Sequence, residues 1–75
     1  MENEIFEKIS ALPEGSEFRF IDFFKDYDID NQAKFDLLDK VLDLCESNGI
    51  IIENTQEGMI LGMPWVYVYK KWIKD

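Results

Sequence analysis

The sequence predicts an α+β fold: three helices, a short strand between the first two, and an antiparallel β-hairpin at the C-terminal end. Three observations predict it. Apolar residues recur at helical spacing in three segments before Asn48, and β-branched or aromatic residues cluster at 50–53 and 65–69. The chain has 75 residues, enough for one hydrophobic core, so a single domain over 1–75 is expected. With one cysteine and no histidine, no internal disulfide and no Cys/His zinc set is expected, which leaves packing to hold the fold. The supply is good: 47% of residues are apolar, and six Phe, three Tyr and two Trp each bring a large area to bury.

In chain order, residues 3–12 put Ile5, Phe6, Ile9 and Leu12 on one helical stripe, with Glu4 and Glu7 in the first turn, where they complement the helix dipole. Pro13 and Gly15 end that helix. Glu17-Phe18-Arg19-Phe20 alternates polar and apolar like a half-buried strand, and Ile21 to Tyr27 returns to helical spacing with Ile21 and Phe24 inward. Asp28-Ile29-Asp30-Asn31 is a turn in which Asp30 or Asn31 is the natural cap of the next helix.

That third helix is the clearest element. At about 100° per residue, Phe35, Leu37, Leu38, Val41, Leu42, Leu44 and Cys45 fill one half of the wheel, with Lys34 the intruder. Asn48-Gly49 ends it, and Ile50-Ile51-Ile52-Glu53 follows as a strand. Asn54 to Gly58 is a turn from which Met59-Ile60-Leu61 returns antiparallel, until Gly62-Met63-Pro64 interrupts the ladder. Trp65 to Tyr69 is the last strand, with Trp65, Tyr67 and Tyr69 on one face and Val66 and Val68 on the other.

This order, from about Glu4 to Tyr69, resembles that of winged-helix domains. The run from Phe20 through Gly49 to Ile52 stands where their second helix, turn, recognition helix and first wing strand lie. The resemblance implies a helix-turn-helix scaffold whose third helix is a contact element. The opening Leu12-Pro13-Glu14-Gly15-Ser16-Glu17-Phe18 resembles that of small bacterial and mobile-element proteins, which implies no activity.

Little in the sequence points to catalysis. Proton transfer near neutral pH leans on histidine or on carboxylates tuned by burial, and the carboxylates here fall on polar faces. No Gly-rich phosphate cradle or nucleophile motif stands in the chain. Asp26, Asp28 and Asp30 alternate like the start of a calcium loop but lack its glycine and closing glutamate. Cys45, on the apolar side of the third helix, is expected to be a small buried hydrophobe rather than a redox or dimer-forming thiol. A non-enzymatic chain with no metal and no cofactor is expected.

Charge carries the functional signal. Residues 1–57 hold fifteen Asp and Glu against five Lys and Arg, whereas residues 58–75 hold one against three. A field of that sign repels nucleic acid and anionic lipid and favours basic partners. The outer face of the third helix presents Asp36, Asp39, Asp43 and Glu46, with Gln32 and a single Lys40, where a DNA reader would present Arg, Lys, Asn or Gln. The leading expectation is a protein-interaction or adaptor module that meets a basic protein, or a second copy of itself, through those carboxylates, the aromatic strand residues Trp65, Tyr67 and Tyr69, or both. A DNA-binding regulator would use Asn31, Gln32, Lys34, Lys70 and Lys71 instead. A phage or mobile-element inhibitor that imitates nucleic acid would share the acidic face. The N-terminal Met1-Glu2-Asn3-Glu4-Ile5-Phe6-Glu7 has neither the basic start nor the apolar run of a secretory leader, and no stretch reaches the ~20 apolar residues that span a bilayer, so a soluble cytoplasmic protein is expected.

Overall fold

The computed structural model describes residues 1–74. The element order is α1 (Glu2–Ala11), β1 (Glu17–Phe18), α2 (Phe20–Phe24), α3 (Asn31–Ser47), β2 (Ile50–Glu57), a 3₁₀ turn (Pro64–Val66) and β3 (Val68–Ile73). The three strands form one antiparallel sheet in the order β1-β3-β2. The chain is thus a small α+β assembly of three α-helices and a three-stranded sheet.

The core lies where α1 and α3 meet each other and the sheet. Ile5 and Ile9 of α1, Leu37, Leu38, Val41 and Cys45 of α3, and Trp65 and Tyr69 from the C-terminal region are all buried. Beside them stands an aromatic stack: Phe20 meets Phe18 and Tyr69 edge-to-face at centroid distances of 5.3 Å each, and Phe24 lies 6.0 Å from Phe20. Such pairs contribute about 0.5–1.5 kcal/mol each beyond the area they bury.

α3 starts and stops where its sequence dictates. The Asp30 carboxylate accepts the Ala33 N–H at 2.8 Å, which satisfies one of the unpaired donors of the first turn. At the other end Gly49 takes a left-handed φ of 75°, and its N–H donates to the Glu46 carbonyl at 3.2 Å. The Asn48 amide also donates to the Leu44 carbonyl at 2.7 Å.

The C-terminal hairpin departs from the sequence pattern. Met59-Ile60-Leu61 does not return along β2; it is exposed loop, and the strand that pairs with β2 is Val68–Ile73. β2 itself runs on to Glu57 through an irregularity between Asn54 and Glu57, with Gln56 at a left-handed φ of 67°. The Thr55 hydroxyl donates to the Val68 carbonyl at 2.8 Å across this bulge. Gly58 then turns the chain at φ 67°, where an added Cβ would lie 3.3 Å from the Val66 carbonyl oxygen. Trp65 and Val66 belong to a 3₁₀ turn opened by Pro64 rather than to a strand.

Pairing of β3 fixes which face each residue takes. Tyr69 and Lys71 point inward, and Lys71 is only 3% exposed. Its ammonium donates to the carbonyls of Ser10 at 2.7 Å and Leu12 at 2.6 Å, where α1 ends and the chain turns. Its backbone also joins the same region, with the Lys71 N–H donating to Ser16 O at 3.0 Å and Gly15 N–H donating to Lys71 O at 2.7 Å. One residue therefore ties the end of α1 and the approach to β1 onto the central strand. Lysine suits the place because its long apolar stem crosses the core edge while three donors meet free carbonyls.

Two stability predictions follow from these contacts. Lys71→Met keeps the apolar stem but leaves both carbonyls without their donor, so urea unfolding should show a loss of about 1.5–3 kcal/mol. Asp30→Ala should lose about 1 kcal/mol in the same assay, whereas Asp30→Ser should restore most of it.

Candidate functional site

α3 separates two chemistries along one axis. Its inward stripe of Leu37, Leu38, Val41 and Cys45 is buried, while Asp36, Asp39, Asp43 and Glu46 are all exposed on the opposite side. Residues three and four apart share a helical face, so these carboxylates form a row about 15 Å long at 1.5 Å rise per residue. Lys40 is the one cation in the row and is itself exposed. Among the described residues the single ion pair is Lys8 with Asp26 at 4.0 Å, so none of the four carboxylates has a cation within that distance. Asp36 instead accepts a hydrogen bond from the Gln32 side-chain amide at 3.2 Å, and the Asp36–Lys40 pairing that their spacing allows is not made.

Of the aromatic residues expected to offer a contact, Trp65 and Tyr69 are buried and Tyr67 is half-buried. Trp65 is 1% exposed, with the Phe35 ring edge-on to it at 4.9 Å and the Lys34 ammonium 5.5 Å from its centroid. Its indole N–H has no hydrogen-bond partner among the described residues. Tyr69 is buried too, and its hydroxyl donates to the Pro64 carbonyl at 2.9 Å. Both are core residues because the 3₁₀ turn and the inward face of β3 carry them under the sheet, so neither offers a partner surface. Tyr67 is half-buried and adjoins Tyr69 at 6.3 Å.

The residues expected for a DNA-reading surface are likewise scattered. Asn31 and Gln32 are exposed at the start of α3. Lys34 is half-buried over Trp65, and Lys70 is half-buried with its ammonium 5.9 Å from the Trp72 ring. Lys71, expected on the wing, is the buried cap described above, and its charge does not reach the surface.

Two apolar surfaces were not foreseen as such. The hairpin loop exposes Met59, Ile60, Leu61 and Met63, with Leu61 99% exposed. On the outer face of the sheet, Ile51 and Trp72 sit opposite each other in the β2–β3 pairing and are 47% and 37% exposed. The alternation of Val68 to Ile73 signals this second surface once β3 is placed at its true position.

The aspartate turn is taken up by local bonds: Asp30 caps α3 and Asp26 faces Lys8. Among the described residues no cluster of three or more His, Cys, Asp or Glu converges as a metal-binding group would. No helix there is long and apolar enough to cross a membrane. Comparison with protein-family models, with curated proteins and with solved structures finds no match for this chain.

Three titrating groups are shifted. Burial pushes the Tyr69 hydroxyl up to about 12, with a smaller contribution from Tyr67. The Tyr27 hydroxyl, which donates to Glu4 at 2.8 Å, is raised because that bond to a carboxylate favours the protonated form. Burial pushes the Cys45 thiol from 9.0 up to about 11, partly countered by the nearby Lys71 charge. A thiol raised this way is a weak nucleophile near neutral pH. Native protein at pH 8 should therefore react with iodoacetamide at least about tenfold more slowly than urea-unfolded protein. The unfolded thiol ionises near 9 and the folded one near 11, so the share of stability tied to Cys45 is complete below pH 9 and drains away as pH climbs toward 11. A Cys45→Ala variant should lack that component of the alkaline decline.

Proposed function

We propose that this chain is a non-enzymatic protein-interaction module on a winged-helix scaffold, whose α3 offers its carboxylate face to a basic partner. The scaffold reading draws support from the order α1-β1-α2-α3-β2-β3 and from a sheet in which β3 lies between β1 and β2. In that scaffold α3 is the contact helix. The observation that carries the reading is the row Asp36, Asp39, Asp43 and Glu46, exposed with no cation within 4.0 Å. Carboxylates without internal partners leave their field in solvent, where it speeds the approach of a positive surface and repels a negative one.

The same row argues against an α3 that enters a DNA groove. Phosphate contacts supply much of the affinity of DNA-binding proteins through counterion release, and four carboxylates against Lys40 would reverse the sign of that contribution. The basic residues that would offset it are spent on packing: Lys71 on helix carbonyls and Lys34 on the Trp65 ring.

The test is capture of proteins from the native host's lysate at low salt by tagged chain and by an Asp36→Lys, Asp39→Lys, Asp43→Lys variant. The wild-type chain should retain a basic protein that the triple variant binds at least about tenfold more weakly, and added salt should mimic the substitution. Equal retention by both chains would refute the role of α3. Displacement of the captured protein by duplex DNA would assign the acidic row to imitation of nucleic acid.

A further inference from the structure

We propose that the free edge of β2 is a self-association surface, on which a second copy of this chain pairs antiparallel about a two-fold axis at Ile51. This goes beyond the reading of α3 and does not rest on it.

The backbone pattern comes first. Lys71 turns its N–H and C=O toward the β1 side, where they meet Ser16 and Gly15. Alternation along an antiparallel ladder then turns the N–H and C=O of Lys70 and Trp72 toward their β2 partners, Glu53 and Ile51. It follows that Ile50 and Ile52 direct theirs away from β3, to the open side of the sheet. No hydrogen bond occupies them among the described residues. β2 is eight residues long, against two for the opposite edge strand β1. Its Ile50-Ile51-Ile52 run carries neither proline nor charge, the features that normally keep an edge from pairing.

Charge and side-chain size then choose the occupant and the register. With Ile51 opposite Ile51 of the second copy, Ile50 and Ile52 of each chain exchange backbone hydrogen bonds with Ile52 and Ile50 of the other. The outer face gains a continuous apolar strip from Trp72 and Ile51 of one copy to Ile51 and Trp72 of the next, covering side chains now 37% and 47% exposed. Glu53 falls opposite Gly49 of the second copy, which has no side chain. Lys74 lies just behind Gly49, its N–H bonded to the Gly49 carbonyl at 2.8 Å. Two strand spacings of about 4.8 Å separate Glu53 from that lysine, a distance the two long side chains can bridge; one Glu53 oxygen already accepts from the Trp72 indole N–H at 2.8 Å, so Lys74 would meet the other. The neighbouring registers fail on the same criteria: an axis at Ile50 sets Ile51 against Gly49, which has no side chain to cover it. An axis at Ile52 sets Ile51 against Glu53, and an axis at Glu53 brings two carboxylates together. On the inner side, Ile50 and Ile52 of the second copy approach the cleft that Leu42 and Glu46 form with this edge.

The contact is short, and each copy carries a net charge of −8, so association is weak and strengthens as salt screens the repulsion. Sedimentation equilibrium of the full chain, from about 10 µM to about 1 mM, should show a monomer–dimer equilibrium with a Kd on the order of 100 µM. Ile51→Lys, at an exposed position that leaves the core untouched, should weaken it at least about tenfold. Ile52→Pro removes the outward N–H together with part of the packing of Ile52 on the core, and should do the same, with circular dichroism confirming that the fold is kept. On mild oxidation Ile51→Cys should form a disulfide-linked dimer, since residues on the axis of a non-hydrogen-bonded pair come close enough to bridge, whereas wild-type chain with its buried Cys45 should not. A chain that stays monomeric throughout, a dimer indifferent to Ile51→Lys, or cross-linking at Ile52→Cys in place of Ile51→Cys would each overturn the proposal.

Discussion

α3 has to serve the core and the solvent at once, and the rest of the chain is arranged around that constraint. Its buried stripe, with Val41 and Cys45, shares one core with Ile5 and Ile9 of α1, all four fully buried, and α3 also packs on β2. Seventeen residues are long enough for the apolar stripe to hold the helix in place without help from its charged side. Packing fixes the helix, and its carboxylates make no ion pair among the described residues. They repel one another. Asp36 and Asp39, Asp39 and Asp43, and Asp43 and Glu46 stand one turn apart, each pair unfavourable by roughly 0.2–0.5 kcal/mol. The row therefore lowers stability, with no compensating ion pair among the described residues.

Lys71 closes the other half of the structure. Its ammonium holds the carbonyls of Ser10 and Leu12 and its backbone holds Ser16 and Gly15, so the α1–β1 connection and the last strand are fastened at one point. The end of α1 and β3 thereby become neighbours. This fastening also withdraws a positive charge from the surface, which sharpens the acidic character of what remains exposed.

Local pattern made the helices legible. Periodicity, the Asp30 cap and the Asn48-Gly49 stop place α3 within a residue of its true limits, and the outward row of carboxylates follows from the same wheel. The hairpin was less legible for physical reasons. In Trp65-Val66-Tyr67-Val68-Tyr69 every side chain is apolar or aromatic, so alternation cannot say which face is inner or where the strand begins. What decides it is the pair of distant contacts from Lys71 to residues 61 and 59 positions earlier, together with the local bond from Tyr69 to Pro64. Those contacts move the strand to Val68–Ile73, bury Trp65 and Tyr69, and remove both from the candidate surface. Met59-Ile60-Leu61 has strand-like composition, yet β2 takes its partner from β3 and the intervening loop is left in solvent.

The exposed chemistry is therefore divided between a charged helix face and a strand edge whose Ile50-Ile51-Ile52 run is apolar. A partner drawn by charge and a second copy drawn by backbone pairing would meet adjoining surfaces of one small scaffold, with Glu46 at their border. Which carboxylates are structural and which are surplus is the question on which the functional reading turns. Urea unfolding of an Asp39→Asn, Asp43→Asn variant answers it most directly. Relief of the like-charge neighbours should raise stability, by up to about 1 kcal/mol. A loss of stability would mean that these side chains hold the fold together, and that the row on α3 is not a surface kept for a partner.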